Sequence, residues 1–221
     1  MTKRALITGA SKGIGAEIAK LFDENGIEVL APTHQELDLL SNASVDSYLS
    51  KLNGSVDILI NNAGINPIRK IEDLDDATIE EVLRVNLISP IRLIKGILPF
   101  MIRKKSGKIV NISSVWSLVS KPGRTVYASS KAALNSVTKS IAVEVAPHNI
   151  LVNAIAPGFV DTKLTRQNNT EEEIRMIESK IPLGRLAQTK EIAELALFLC
   201  SDKNSYMTGQ TILVDGGYTC L

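Results

Sequence analysis

A tyrosine and a lysine lie four residues apart in the stretch TVYASSKAAL, at Tyr127 and Lys131. Residues at this spacing share one face of a helix, one turn apart. The pKa of a free tyrosine is about 10, so its phenol is a poor base near neutral pH. A neighbouring ammonium favours the phenolate and brings that pKa nearer the range in which general acid–base catalysis is efficient. The pair is therefore a candidate for proton transfer, although an exposed pair on a helix surface has the same spacing.

A glycine-rich segment near the N-terminus indicates a phosphate site. The segment TGASKGIG follows the apolar run RALI and opens an amphipathic stretch, with glycines at Gly9, Gly13 and Gly15. Glycines allow a tight turn there, and they let a pyrophosphate approach the free N–H groups at a helix N-terminus. A strand–helix turn without a ligand is the alternative interpretation.

Short apolar runs alternate with longer amphipathic stretches along the chain. Apolar strands that are each followed by a helix are typical of a parallel sheet covered on both faces. We therefore predict one α/β domain over residues 1–221, built on a doubly wound parallel sheet. The predicted strands are 4–7, 28–31, 57–61, 108–113, 150–156 and 211–214, and the predicted helices are 14–25, 75–103, 124–146, 171–180 and 190–199.

The composition argues against several classes of partner. The formal net charge is +1 and 22% of the residues are charged, so no bulk field attracts nucleic acid or a membrane surface. Cys200 and Cys220 form neither a disulfide framework nor a metal-binding spacing, and we expect no metal site. The start of the sequence has only a very short apolar run, unlike a secretory signal. We expect a reduced, cytoplasmic protein.

Six motifs, in order along the chain, resemble the short-chain dehydrogenase/reductase family. They are the glycine loop, NNAG at 61–64, VN at 85–86, NISS at 111–114, Tyr127-x-x-x-Lys131 and PGFVDT at 157–162. The C-terminal third is similar to the branch that contains 3-oxoacyl-carrier-protein reductases. The resemblance covers essentially the whole chain. It implies a Rossmann-type fold and an NAD(P)-dependent oxidoreductase that interconverts a carbonyl and a secondary alcohol by hydride transfer.

The resemblance also assigns catalytic roles. Tyr127 is the general acid/base, and Lys131 additionally holds the nicotinamide ribose. Ser114, 13 residues before Tyr127, corresponds to the serine that holds the substrate oxygen. Because side chains alternate along a strand, only one of Ser113 and Ser114 can face the cleft, and the spacing favours Ser114. Asn86 corresponds to the asparagine that holds a water in a proton relay.

Cofactor preference is predicted from the end of the second strand. Enzymes that prefer NAD place an acid there, but this position is Pro32, and the first carboxylate after it is Glu36. Lys12, Thr33 and His34 could receive a 2′-phosphate, which favours NADP(H) over NAD(H). The predicted cofactor contacts are Gly9, Ser11, Lys12, Gly13, Ile14, Gly15, Thr33, His34, Asp38, Leu39, Asn61, Ala63, Gly64, Tyr127, Lys131, Pro157, Gly158, Val160 and Thr162.

The adenine-binding segment departs from the family pattern. The stretch PTHQELDL reaches Asp38 and Leu39, the expected adenine cap, after only six residues. A parallel crossover needs a dozen residues or more. We predict that this crossover helix is absent and that the family's third strand is lost or reduced to a loop. The shortened segment is similar to one in nucleotide-sugar reductases, which weakens the case for a thioester substrate.

A substrate lid is expected over residues 162–186, where Thr170 and Glu173 have the spacing of a helix capping box. The expected substrate contacts are Ser114, Trp116, Tyr127 and Asn66. Packing in the core is an equally good interpretation of Trp116. The cations Arg103, Lys104, Lys105 and Lys108 could meet a carrier protein, with His148 at a second site, or they could simply be a solvated helix end.

Three functions are consistent with these motifs. The first is reduction of a small-molecule or thioester carbonyl, as in the 3-oxoacyl reductases. The second is the same chemistry on a sugar, polyol or nucleotide-sugar. The third is a cofactor-sensing binding protein, although such proteins usually lose the tyrosine or the lysine. The resemblance further implies a homodimer or homotetramer.

Overall fold

The computed structural model describes residues 2–52, 56–167 and 169–220. Its strands are β1 (Arg4–Ile7), β2 (Glu28–Leu30), β3 (Ile58–Asn61), β4 (Gly107–Ile112), β5 (Ile150–Pro157), β6 (Val160–Asp161), β7 (Ala187–Gln188) and β8 (Thr211–Val214). Its helices are α1 (Gly13–Glu24), α2 (Asn42–Lys51), α3 (Asp76–Leu83), α4 (Ser89–Lys104), α5 (Thr125–Val145), α6 (Lys163–Gln167), α7 (Glu171–Glu178) and α8 (Thr189–Cys200).

Six strands form one parallel sheet in the order β2-β1-β3-β4-β5-β8. This confirms the predicted Rossmann-type architecture. The direction of the order reverses between β1 and β3, and the loops that follow these two strands meet there. A ligand cleft is expected at the carboxyl ends of the strands at such a switch point. The short strands β6 and β7 pair separately, and they were not predicted.

The strand residues alternate between two cores. Ile7 packs in one cluster with Phe22 of α1 and Ile192 of α8. Its neighbour Leu6 belongs to the cluster on the opposite face, with Leu93 of α4. Because successive side chains of a strand point to opposite faces, apolar strands need helices on both sides. The carboxyl ends of the strands are thereby held in place from both faces.

The connection after β2 contains neither a strand nor a helix before α2, and the sheet ends at β2 within the described residues. The predicted loss of the crossover helix and of the third strand is confirmed. Leu37 and Leu39 are 5% and 9% exposed and pack into the core that contains Leu6. The Ser89 hydroxyl donates a 2.5 Å hydrogen bond to the Leu39 carbonyl. Two buried leucines and this bond anchor the shortened segment.

Helix α2 was missed by the sequence analysis. The hydroxyl of Ser41 caps it by accepting the backbone N–H of Ser44. Val45 is its buried apolar residue, so the sequence has no long apolar stripe that would predict a helix here. A Cβ on Gly96 would come within 2.5 Å of Leu49, which shows how closely α2 packs on α4. The tertiary contact, rather than the local pattern, reveals this helix.

Helices α3 and α4 run on as one 29-residue helix, Asp76–Lys104, through a π-type turn at Arg84–Ile88. By length and composition this helix could cross a membrane, with a mean hydropathy of 1.5 over its most apolar window. Its apolar residues Leu93, Ile97 and Met101 are almost fully buried against the sheet, and this packing accounts for the composition. The prediction of a helix over 75–103 is confirmed, but the wider turn was not foreseen.

Candidate active site

Tyr127 and Lys131 lie one turn apart on α5, and the Lys131 Nζ is 5.8 Å from the centroid of the Tyr127 ring. Lys131 is only 3% exposed, and its Nζ donates a 2.8 Å hydrogen bond to the carbonyl of Ile112 at the end of β4. Burial lowers the pKa of Lys131 to about 8. The ammonium therefore still predominates near neutral pH, beside the phenol.

The pKa of Tyr127 departs from the prediction. Burial raises the pKa of this phenol, while a hydrogen bond with the Ser114 hydroxyl and the charge of Arg124 oppose the rise. The net effect is therefore opposite to the expected lowering, and the contribution of Lys131 stays a prediction. Burial outweighs the nearby charges, and the cation that acts on the phenol is Arg124, a residue that the sequence analysis did not single out.

The two serines after β4 have different partners. Ser114 accepts the backbone N–H of Trp116 at 3.3 Å and interacts through its hydroxyl with Tyr127. Ser113 instead donates to the carbonyl of Lys131 at 3.3 Å. The alternation of side chains thus directs Ser114 to the phenol and Ser113 into the packing against α5.

Asn86 lies in the π-type turn and is fully buried. Its amide oxygen accepts the N–H of Ile65, and its amide nitrogen donates to the carbonyl of Ile65 and to the hydroxyl of Ser130. The amide therefore ties the loop after β3 to the catalytic helix. Pro90 has no N–H, so the ordinary helical hydrogen bond to the Asn86 carbonyl cannot form. π-type turns often occur at functional sites.

The glycine loop is shaped for close approach. Gly9 and Gly13 have φ angles of +67° and +60°, and a Cβ at Gly15 would come within 2.4 Å of the Gly9 carbonyl oxygen. The N-cap residue of α1, Lys12, makes no side-chain capping hydrogen bond. Free N–H groups at a helix N-terminus bind anions. These residues fit a dinucleotide pyrophosphate.

Two residues outside the predicted set hold this loop against the next one. The Asn62 amide donates to the carbonyls of Thr8 and Gly9 at 3.0 and 3.1 Å. The Thr8 hydroxyl accepts the N–H groups of Asn62 and Ala63, each at 3.1 Å. The predicted contact Ala63 is thereby fixed beside the glycine loop. Thr8 is the polar residue at which the apolar strand ends, and this change of polarity was the signal by which the sequence could have indicated it.

Asn61 was predicted to contact the cofactor, but its side chain lies in the protein interior. It is 2% exposed and donates to the amide oxygen of Asn111 at 2.8 Å. Asn111 in turn donates to the Thr138 hydroxyl of α5. Since strand side chains alternate, the second asparagine of the NNAG motif takes the position at the cleft.

The edge beyond β2 also differs from the prediction. The backbone N–H and the hydroxyl of Thr33 both donate to the Glu36 carboxylate, at 2.8 and 2.9 Å, and these bonds lower the pKa of Glu36. Thr33, which was predicted to contact the 2′-phosphate, therefore donates its hydrogen bonds to a carboxylate of the protein. Leu39 packs into the core, while Lys12 and His34 remain exposed.

The other predicted contacts divide by burial. Ser11 is exposed, and Gly64 lies so near the lysine that an added Cβ would be 3.5 Å from the Nζ of Lys131. A Cβ at Gly13 would lie 3.7 Å from Thr162, which brings the PGFVDT motif to the glycine loop. Among the remaining predicted contacts, Pro157 and Val160 are buried, and Ile14 packs on the core. Gly158 is partly exposed. The Asp38 carboxylate accepts the backbone N–H of Leu40.

On the substrate side, Trp116 is 8% exposed and packs edge-to-face with Phe159 and Tyr218, at ring-centroid distances of 5.8 and 6.3 Å. The packing interpretation of Trp116 is therefore correct for most of the ring. The Lys121 Nζ and the Arg124 Cζ lie 5.4 and 5.8 Å from the ring centroid. Neither cation was part of the predicted substrate site.

The segment expected to be a lid carries α6 and α7. Thr170 and Glu173 form the predicted capping box, with reciprocal backbone hydrogen bonds of 2.7 and 3.2 Å. Ile174 and Ile181 pack in a small cluster with Phe159 and Tyr218, so the segment is anchored beside Trp116. Asn168 lies outside the described residues. Asn66, the remaining predicted substrate contact, buries its amide oxygen without a hydrogen-bond partner in the described part of the chain.

The family model described as enoyl-(acyl carrier protein) reductase matches residues 36–219. An oxidoreductase named YmfI from Bacillus subtilis is 37% identical, with all of both chains covered. The 3-oxoacyl-[acyl-carrier-protein] reductase FabG of Thermotoga maritima is 37% identical, with 97% of each chain covered. The chain belongs to the short-chain dehydrogenase/reductase family. It is an oxidoreductase of the group that uses NAD or NADP.

Solved structures of this family resemble the chain over its whole length. A 4-hydroxyisoleucine dehydrogenase complexed with NADH superposes with a TM-score of 0.94 at 32% identity, with both chains fully covered. ElxO with NADP bound has a TM-score of 0.93 at 29% identity, again with full coverage. A gluconate 5-dehydrogenase from Burkholderia cenocepacia, in complex with NADP and tartrate, has a TM-score of 0.89 at 28% identity and covers 99% and 96% of the two chains.

Proposed function

We propose that this short-chain dehydrogenase/reductase interconverts a carbonyl and a secondary alcohol with Tyr127 as its general acid/base. One observation carries the proposal. A half-buried phenol lies beside a serine hydroxyl and a buried ammonium, next to a glycine loop that fits a dinucleotide. A bound nicotinamide cofactor supplies the hydride for reduction and takes it up in oxidation.

The chain's own residues handle the proton and the substrate oxygen. The Ser114 hydroxyl interacts with Tyr127, and we expect it to donate to the substrate oxygen once a substrate is bound. Tyr127 donates its proton to that oxygen during reduction and removes it during oxidation. A raised pKa keeps the phenol protonated at neutral pH, which is the form that reduction needs. Lys131 would hold the ribose hydroxyls from its position beside Gly64.

The test is Tyr127→Phe, which keeps the ring and removes the acidic proton. We expect turnover to fall by a factor on the order of 10²–10⁴, the usual contribution of general acid–base catalysis, with cofactor affinity little changed. Fluorescence or calorimetric titration measures that affinity. Tight cofactor binding by the wild type without turnover on a broad carbonyl and alcohol panel would favour the sensor function instead.

We infer a preference for NADP(H), supported by the exposed cation Lys12 in the glycine loop and by the exposed imidazole of His34 after β2. The Glu36 carboxylate on Thr33 acts against a 2′-phosphate. The two fully covered structural relatives carry different cofactors, NADH in one and NADP in the other. Comparing kcat/KM with NADPH and NADH tests the preference directly, and an equal or higher value with NADH would contradict it.

Two substrate classes have support. The reductases that resemble this chain in sequence act by name on 3-oxoacyl carrier protein, which supports a thioester carbonyl. The gluconate dehydrogenase and the shortened adenine segment support a sugar or polyol. The basic cluster proposed for a carrier is partly occupied, because Lys104 pairs with Asp57 and Lys108 donates to the Asn204 carbonyl. Parallel screening of 3-oxoacyl thioesters and keto sugars separates the two classes.

We further propose that two copies associate through α4 and α5, as the family resemblance implies. An apolar groove of about 530 Å³ between these helices is lined by Leu87, Ile91, Ala133, Ser136, Val137, Ser140 and Ile141. Light scattering should give a dimer or a tetramer, and Ile91→Glu should shift it toward the monomer. A cytoplasmic location stays a prediction that the free thiols of Cys200 and Cys220 support.

A further inference from the structure

Two cations border the substrate side of the site on one short loop. Lys121 and Arg124 lie between Ser114 and the start of α5, and both are within 6 Å of the Trp116 ring centroid, at 5.4 and 5.8 Å. Arg124 is the N-cap residue of α5 and precedes Tyr127 by three residues. In the sequence the two cations therefore stand between Ser114 and Tyr127, and in space they lie close to the Trp116 ring.

One N–H of the Arg124 guanidinium has no partner among the described residues of the protein. Its Nε is buried without a hydrogen-bond partner in the described part of the chain. Arg166 and Arg185, by contrast, pair with Asp161 and Glu191 at 2.7 Å. Leaving a buried donor without a partner is energetically costly. An acceptor from outside the chain would supply the partner that this Nε–H lacks.

Positive charge predominates around Arg124 and Lys121. Burial lowers the pKa of both Arg124 and Lys121, and Lys180 adds a further positive charge near Lys121. Glu173 is the carboxylate that acts on Lys121, but it is held by the Thr170 N–H of its capping box. An open cavity of about 380 Å³ adjoins this loop, lined by Val119, Ser120, Lys180, Tyr218 and Thr219.

We propose that Arg124, assisted by Lys121, binds a carboxylate of the substrate, and that the substrate is a small oxo acid or hydroxy acid. This inference rests on the proposed function, because it orients the substrate toward Tyr127. A guanidinium binds a carboxylate through two parallel hydrogen bonds, and it does so best in a partly buried site. Arg124 precedes Tyr127 by three residues at the start of α5, and its charge acts on the phenol, so a carboxylate bound there lies on the Tyr127 side of the site. The acyl end of a thioester has no such charge.

The first test compares matched substrates. Acetoacetate and its methyl ester differ in the charge next to the same ketone, so the ratio of their kcat/KM values reports the subsite. We expect the wild type to prefer the acid, and Arg124→Gln to reduce the acid-to-ester ratio about 10- to 100-fold. Arg124→Lys keeps the charge and should retain part of the preference. Lys203→Gln, which removes an exposed cation in the turn after α8, is the control and should leave the ratio unchanged.

The second test does not require turnover. Trp116 is the single tryptophan of the chain, so its fluorescence reports the loop that carries both cations. Malonate, titrated into the protein with NADP⁺ present, should change this fluorescence saturably. Sodium chloride at matched ionic strength should not, and Arg124→Gln should weaken the malonate response at least tenfold. Thermal melting confirms that each variant is folded.

The outcomes separate this inference from the proposed function. Reduction of neutral ketones without a preference for the acid, together with no malonate response, overturns the subsite and leaves the reductase. A saturable malonate response without any turnover supports the subsite and contradicts the reductase. A preference for dihydroxyacetone phosphate over dihydroxyacetone, without one for acetoacetate over its ester, overturns the carboxylate assignment in favour of phosphate.

Discussion

The catalytic end of the sheet and the edge beyond β2 are built differently. At the catalytic end, Asn86, Ser114 and Lys131 are nearly or fully buried, and Asn86 and Lys131 make hydrogen bonds to backbone groups of another segment. At the edge, Thr33 and Glu36 are exposed, and their side chains pair with each other. Leaving a buried polar group unpaired is costly, which restricts the arrangements open to it. Exposed pairs contribute little and tolerate change. Proton-transfer geometry should therefore be sensitive to mutation, and cofactor choice should be adjustable.

The strongest test of this contrast is a pair of neighbouring serines. Ser114→Ala removes the hydroxyl that interacts with Tyr127, and we expect kcat/KM to fall roughly 10²- to 10³-fold. Ser113→Ala removes a bond to the Lys131 carbonyl and should cost less than tenfold. Steady-state kinetics with one carbonyl substrate measures both. Equal losses for the two variants would contradict the assignment of Ser114.

Gly15→Ala tests the packing between the glycine loop and the NNAG loop. The new Cβ would lie 2.4 Å from the Gly9 carbonyl oxygen, a backbone atom that cannot turn aside. Overpacking of this kind costs about 1–3 kcal/mol of stability, and we also expect cofactor affinity to fall at least tenfold. Gly26→Ala is the matched control for the loss of a glycine, because nothing lies within 4 Å of its added Cβ. Its φ of +73° adds local strain but lies away from the cofactor site. Denaturant unfolding and cofactor titration provide the two measurements.

The pH dependence should follow the raised pKa of Tyr127. Reduction needs the protonated phenol, so its rate should be flat near neutral pH and fall only above that pKa. Oxidation needs the phenolate, so its rate should rise up to about tenfold per pH unit until that pKa is reached. The charge of Arg124 opposes the rise in the pKa of Tyr127. Arg124→Gln should therefore shift the pH dependence of both the reduction rate and the oxidation rate to higher pH. An oxidation rate that is flat from neutral to alkaline pH would contradict this role.

The smallest expected effect is at the edge beyond β2. Glu36→Gln removes a negative charge and weakens the hold on Thr33, so the ratio of kcat/KM for NADPH to that for NADH should rise about 3- to 10-fold. Glu24→Gln at the end of α1, where the carboxylate pairs only weakly with Lys20 at 3.9 Å, is the control. If Glu36→Gln leaves the NADPH-to-NADH ratio of kcat/KM unchanged, the 2′-position of the cofactor lies away from Glu36.

The sequence anticipated the catalytic end better than it anticipated helix α2 or the turn at Asn86. Tyr127 and Lys131 share a helix face because of their spacing, and Ser114 was chosen over Ser113 by its spacing from Tyr127. Helix α2 was missed because it has one buried apolar residue, and its stability comes from packing of Leu49 on Gly96. The role of Asn62 was missed because NNAG contains two asparagines and only strand register decides which one enters the core.

By itself the sequence determined the parallel α/β fold, the shortened segment after β2 and the phenol–ammonium pair, because these depend on local periodicity, chain length and helix spacing. Only the tertiary structure decided the direction of the Tyr127 pKa and the burial of Arg124 near that phenol. Burial and pairing depend on segments distant in the chain, and the cost of removing a charge or a donor from water exists only once those segments pack together.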